Sequence, residues 1–140
     1  MSTEQLPKVG VGVMIIKDGK VLLGKRKGSH GVGEYAWPGG HLEYMESFVG
    51  CAQRETMEET GMEIQNVRFL RLLNLKQYAP KHYVDIGLVA EWKSGEPKVM
   101  EPNKVESWGW YAMDNLPTPL FEPVKTYMEA YKTGRNFFDA

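Results

Sequence analysis

Residues 9–16 (VGVGVMII) interleave apolar and mostly β-branched side chains with glycines, and the polar quartet Lys17-Asp18-Gly19-Lys20 separates them from Val21-Leu22-Leu23-Gly24. Two apolar runs around an Asp-Gly pair predict a β-hairpin. Glycine weakens a strand unless another group must approach it closely, so Gly10 and Gly12 predict either a ligand or a packed helix over their face. Tyr35-Ala36-Trp37 then runs into Pro38-Gly39-Gly40. A rigid residue followed by two permissive ones predicts a turn that brings backbone close to whatever lies beside it.

Further on, residues 67–75 mix leucines with Arg68 and Arg71, and residues 82–92 (HYVDIGLVAEW) form the clearest later strand. Alternation places Val84, Ile86, Leu88 and Ala90 on one of its faces. Residues 77–81 read as a loop and residues 93–103 (KSGEPKVMEPN) as a polar surface connection. If the following VESWGWY is a strand, Glu106, Trp108 and Trp110 share a face. Two helices are predicted. One runs from an N-cap at Ser47 to a left-handed C′ glycine at Gly61. The other carries Val124, Tyr127, Met128 and Tyr131 at i, i+3, i+4 and i+7 and packs its apolar stripe on the sheet.

The order strand, strand, helix, strands, helix, with no internal repeat, predicts one α/β domain over residues 1–140. A chain of 140 residues buries close to 70% of the surface its unfolded form exposes, so no disulfide or structural metal is needed for folding. Charged residues are 25% of the chain and the net charge is −1. That balance excludes a reading built on a nucleic-acid polymer or an anionic membrane as partner, and makes any phosphate recognition local. The single Cys51 suits a small core residue better than a nucleophile. The segment MSTEQLPKVG has no basic region followed by an apolar run, and no stretch approaches a membrane span, so a cytoplasmic protein is expected.

One stretch resists this structural reading. On the predicted helix Glu55, Glu58 and Glu59 fall within about 100° of one another, on the side of Phe48, Cys51 and Ala52. Like charges at i, i+3 and i+4 repel, and anions sit badly at a helix C-terminus. A hard divalent cation would remove the conflict, because Mg2+ takes carboxylate oxygens, water and substrate phosphate; a solvated acidic helix face is the plainer alternative. Two further groups could complete such a site. A carbonyl of the glycine turn at Gly39 could join the metal shell, and Arg26, in the basic run Lys25-Arg26-Lys27, could grip a phosphate in bidentate fashion.

The spacing decides the matter. Gly40, Glu46, Arg54-Glu55, Glu58-Glu59, Gly61 and the apolar Met62 follow the pattern G-x5-E-x7-R-E-U-x-E-E-x-G-U. This resembles the Nudix hydrolase box, departing from it only at Thr56, where an aliphatic residue is usual. The resemblance implies an α/β/α sandwich with a mixed sheet between helices, a homodimer, and Mg2+ as cofactor with Mn2+ as a substitute. It implies Glu55 and Glu59 as principal metal ligands, Glu58 as a further ligand or general base, and catalytic duty shared among Glu58, Glu59 and Arg54, with Glu46 pairing Arg54. Glu106 resembles the extra glutamate that adds a ligand or base in some members; a rim salt bridge is its alternative.

The runs VLLGKRKGS, PGGHLE, CAQRETMEE and VESWGW further resemble the MutT-related nucleoside triphosphate diphosphatase branch, with Trp37, His41, Leu120 and Phe121 at positions that hold the base there. The implied reaction is hydrolysis of a nucleoside triphosphate to monophosphate and pyrophosphate. The alternatives are hydrolysis of ADP-ribose or a nucleotide sugar and, in another class, a non-catalytic nucleotide-binding module.

Overall fold

The computed structural model describes residues 5–28 and 31–139. Ser29 and His30 of the loop after the basic run, and the first four residues of the N-terminal lead, lie outside the described residues.

The hairpin forms as the Asp-Gly signal predicts. Strand β1 (Lys8–Lys17) turns through Asp18 (φ 51°) and Gly19 (φ 76°) into β2 (Lys20–Arg26). Both turn residues are left-handed, the requirement of a type I′ turn. The partnership is short: β1 and β2 pair at Ile16↔Val21 and Lys17↔Lys20, after which β2 turns to β7 (Val105–Ala112) along its length and to β3 (Tyr35–Ala36). The place beside β1 is taken by β4 (Gly39–His41), antiparallel through Gly12↔Gly39, Val11↔Gly40 and Gly10↔His41.

This corrects the expectation of a turn at Gly39-Gly40. The two glycines are strand residues, and what they provide is close approach: a Cβ on Gly39 would overlap the backbone of Val11 and Gly12.

On its other side β1 runs parallel to β6 (Tyr83–Ser94), which pairs antiparallel with β5 (Glu63–Leu75). The short β8 (Phe137–Phe138) closes that edge beside β5, completing a mixed sheet. Strand β5 begins earlier than its leucine pattern indicated, because an irregular register near the left-handed Asn66 (φ 53°) lets polar residues join the strand.

Helix α1 (Phe48–Thr60) has both predicted ends: the Ser47 hydroxyl accepts from the Gly50 N–H at 2.9 Å, and Gly61 is left-handed at φ 77°. It covers the face carrying Val11, Val13, Ile15, Ile86, Leu88 and Ala90, to which it contributes Cys51 and Ala52. Helix α2 (Glu122–Thr133) covers the opposite face through Val124, Tyr127 and Met128, against Met14, Val21, Leu23 and Val89. The layers are therefore helix, sheet, helix, as expected. Phe48 and Tyr131, assigned to the inner faces from periodicity, are both nearly half exposed. No described helix is long and apolar enough to cross a membrane.

The glycines of β1 answer to α2. A Cβ on Gly12 would collide with the Tyr127 hydroxyl, and one on its neighbour Gly87 would crowd the same ring. The packed-helix reading thus holds for Gly12, while Gly10 faces the side chain of Asp85.

Candidate active site

A cleft of about 780 Å³ is lined by Glu55, Glu58 and Glu59 from α1 and by Pro123, Val124 and Tyr127 from α2. The two helices lie on opposite faces of the sheet, and they share one cleft because β2 has parted from β1 there and β4 has replaced it.

At the α1 end Arg54 organises the acids. Its Nε and Nη2 donate to the two oxygens of Glu46 at 2.7 and 3.0 Å, Nη1 donates to Glu55 at 2.9 Å and Glu58 at 3.2 Å, and Nη2 also donates to the His41 carbonyl at 3.1 Å. Glu46 is held down at about 2 by the Arg54 hydrogen bonds first, then by the Glu43 backbone N–H. This is the Glu46–Arg54 pairing the box implies, and it makes Arg54 a residue that aims Glu55 and Glu58. Neighbouring Cys51 is pushed up to about 12 by burial and then by Glu46, so its thiol is inert, as its place in the core suggested.

Glu59 lies beneath this layer, only 9% exposed. One carboxylate oxygen accepts from the Gly39 N–H at 3.5 Å, and Trp108 Nε1 donates to the Glu59 backbone carbonyl at 3.2 Å. Burial, then the hydrogen bond and charge of Glu55, push the Glu59 carboxyl well above its ordinary value. A buried carboxylate against a second one is costly unless a cation sits between them.

Gly40 is what lets them converge, since a Cβ there would run into the Glu55 carboxylate. We expect Gly40→Ala to displace Glu55 and lower kcat about tenfold or more, the scale of a misplaced catalytic group. Thermal unfolding should change little, because the displaced carboxylate can swing toward solvent; wild-type kcat would show that Glu55 has no positional role.

The donor set is made of hard oxygens on one helix beside a strand, which suits Mg2+ or Mn2+. Among the described residues no three acids already surround a common point. Glu55 and Glu58 lean on Arg54 instead, and Glu58 is half exposed. Glu106 takes its alternative reading: its carboxylate lies 3.6 Å from Lys25 Nζ, more than half exposed, and is absent from the cleft lining. Pairing of β2 with β7 sets Lys25 opposite Ser107, next to Glu106 in the chain.

The remaining walls are aromatic and cationic. Arg26 lines the cleft, its guanidinium 4.1 Å over the ring of Phe121, which stacks on Tyr78 at 5.3 Å. His41 stacks on Tyr83 with ring centroids 5.6 Å apart. Trp37 is mainly a core residue, 8% exposed and edge-on to Tyr127 at 5.5 Å, although it borders the cleft.

Trp108 is a wall residue that the sequence reading passed over; Gly24 makes room for its ring. The reading also passed over a buried ion pair. Arg71 is fully buried; its Nη2 donates to Asp85 Oδ2 and its Nη1 to the Asp85 carbonyl, both at 2.9 Å. It also reaches Thr126 and the Pro123 carbonyl, and its guanidinium lies 4.1 Å from the Tyr127 ring. Burial pushes the Asp85 carboxyl up and Arg71 opposes it. Asp85 is the one acid among the described partners of this buried guanidinium. The signal was present as single charges inside the apolar runs of β5 and β6.

The NUDIX domain family matches residues 6–131 of this chain. The chain therefore belongs to the Nudix family. It is similar to an ADP-ribose pyrophosphatase of Methanocaldococcus jannaschii, 32% identical over 91% of this chain and 76% of that protein. It is 29% identical to the NAD-capped RNA hydrolase NudC of Chromobacterium violaceum over 79% of this chain, but spans only 41% of that longer protein. Its fold superposes on a MutT NUDIX hydrolase from Burkholderia pseudomallei with a TM-score of 0.84 at 35% identity, over 89% of this chain and 98% of that one.

Proposed function

We propose that the protein hydrolyses the diphosphate linkage of a nucleoside diphosphate derivative in a reaction that depends on a divalent cation, with ADP-ribose as leading substrate. The observation that carries the reading is the convergence of Glu55 and buried Glu59 beside Gly39 and Gly40, at one end of a cleft with aromatic and cationic walls. The choice of ADP-ribose over the nucleoside triphosphate expected from sequence draws on the M. jannaschii relative, which matches nearly the whole chain.

Glu55 and Glu59 would hold the cation, with Glu58 and the Gly39 carbonyl as further oxygen donors; Mg2+ or Mn2+ bound there would polarise the phosphoryl group and lower the pKa of water. Arg54 keeps Glu55 and Glu58 turned toward the cleft. Arg26 would bind a phosphate oxygen, its guanidinium lying over the Phe121 ring. Water adds to one phosphorus, the bridging P–O bond breaks, and the bridging oxygen leaves with the other phosphate; a carboxylate of α1 accepts the proton of the water.

Triphosphate hydrolysis is kept as a second reading because of the MutT-like sequence runs and the close superposition on the Burkholderia protein. A product assay at saturating Mg2+ over ADP-ribose, NADH, nucleotide sugars and nucleoside triphosphates separates them. Release of AMP and ribose 5-phosphate from ADP-ribose should be fastest. Faster pyrophosphate release from a triphosphate would reverse the order. Tight binding without turnover of any compound would make the protein a non-catalytic module.

A further inference from the structure

Beyond the α1 glutamates the cleft holds another carboxylate, Asp85, for which hydrolysis has no use. Its Oδ2 is committed to Arg71 Nη2 at 2.9 Å, while no hydrogen bond among the described residues reaches Oδ1. That oxygen lies over Gly10, where a Cβ would come within 3.1 Å of it, and both residues line the cleft. Two aromatic pairs line the same cleft: Tyr83 stacked on His41, and Tyr127 against Trp37.

A side chain 17% exposed, with one oxygen locked by a buried guanidinium and the other turned to the cleft, is a fixed acceptor. A carboxylate oxygen accepts only. A flat heterocycle on the aromatic wall would gain by presenting an amino N–H to Oδ1, and a carbonyl placed against Oδ1 would meet negative charge.

We propose that Asp85 sets the base preference of this site by accepting a hydrogen bond from an exocyclic amino group of the substrate's nucleobase. The inference rests on the nucleotide reading above, and its test is independent of turnover. AMP, GMP and IMP share sugar and phosphate and contain no diphosphate bond; GMP differs from IMP only by its 2-amino group, while AMP has a 6-amino group where IMP has a carbonyl and an N1–H, so their dissociation constants report the base contact directly. Titration calorimetry should find AMP or GMP binding roughly 10- to 100-fold tighter than IMP, the usual range for one discriminating base contact.

Asp85→Asn, whose amide can donate to a carbonyl, should collapse or invert that ratio. Because this variant also weakens the Arg71 pair, Gly10→Ala provides a second arm: its methyl crowds Oδ1 while Arg71 and Asp85 remain paired, and it should shrink the ratio to within about threefold. Equal or tighter binding of IMP by the wild-type protein overturns the assignment. So does an unchanged ratio in Gly10→Ala, or failure of all three nucleotides to bind at millimolar concentration. An amino preference without hydrolysis of any compound would sink the proposed reaction and leave Asp85 standing; hydrolysis without the preference does the reverse.

Discussion

Glu59→Gln is expected to lower kcat at saturating Mg2+ by at least about a hundredfold, the scale of losing a key electrostatic group in an active site. The substitution keeps shape and removes the charge a cation needs. It also tests why the side chain is buried. Burial and Glu55 push the metal-free Glu59 carboxyl toward its protonated form, whose shape and neutrality glutamine keeps. Thermal unfolding without metal should therefore be nearly unchanged. In wild type, Mg2+ should raise Tm through binding to the native state alone, and Glu59→Gln should lose most of that rise. Near-wild-type turnover would remove Glu59 from the catalytic machinery, and a large loss of metal-free stability would make its role structural.

The largest expected effect on stability lies elsewhere. Arg71→Met should cost about 3–5 kcal/mol, because it leaves Asp85 buried without its partner, and Tm should fall on the order of 10 °C. The loss includes the tie from β5 to the first turn of α2, which Arg71 makes through Thr126 and the Pro123 carbonyl. Denaturant unfolding of Arg71→Met, Asp85→Leu and the double variant would apportion the effect. The double variant should recover much of the stability, since apolar replacement of a whole buried pair is often neutral. A cost below about 1 kcal/mol for Arg71→Met would mean that the pair is not the anchor described.

Much of the site was legible because its logic is local. Glu46, Arg54, Glu55, Glu58 and Glu59 belong to one helix and its lead-in, where spacing along the chain fixes spacing in space, and Ser47 and Gly61 mark its ends through short-range geometry. The α/β class followed from the order of strands and helices, and the α/β/α layering came with the family resemblance. Gly39-Gly40 was misread because a glycine pair signals freedom of the backbone without saying what crowds it; here Val11, Gly12 and Glu55 do. The surroundings of Glu106 were hidden for a similar reason: alternation gave its face, but only the pairing of β2 with β7 brought Lys25 beside it.

The chain by itself determined the family box, the helix that carries it, the hairpin, and the identity of the acids that converge. Only the tertiary structure decided that β4 would displace β2 from the side of β1, opening a cleft that reaches both faces of the sheet. It also decided that Arg71 and Asp85 would meet under Tyr127. The physical reason is register: partners on different strands are set by bulges, strand ends and the exclusion of voids, which act between residues far apart in sequence. A lone charge in an apolar run announces that it needs a partner, and packing alone selects which.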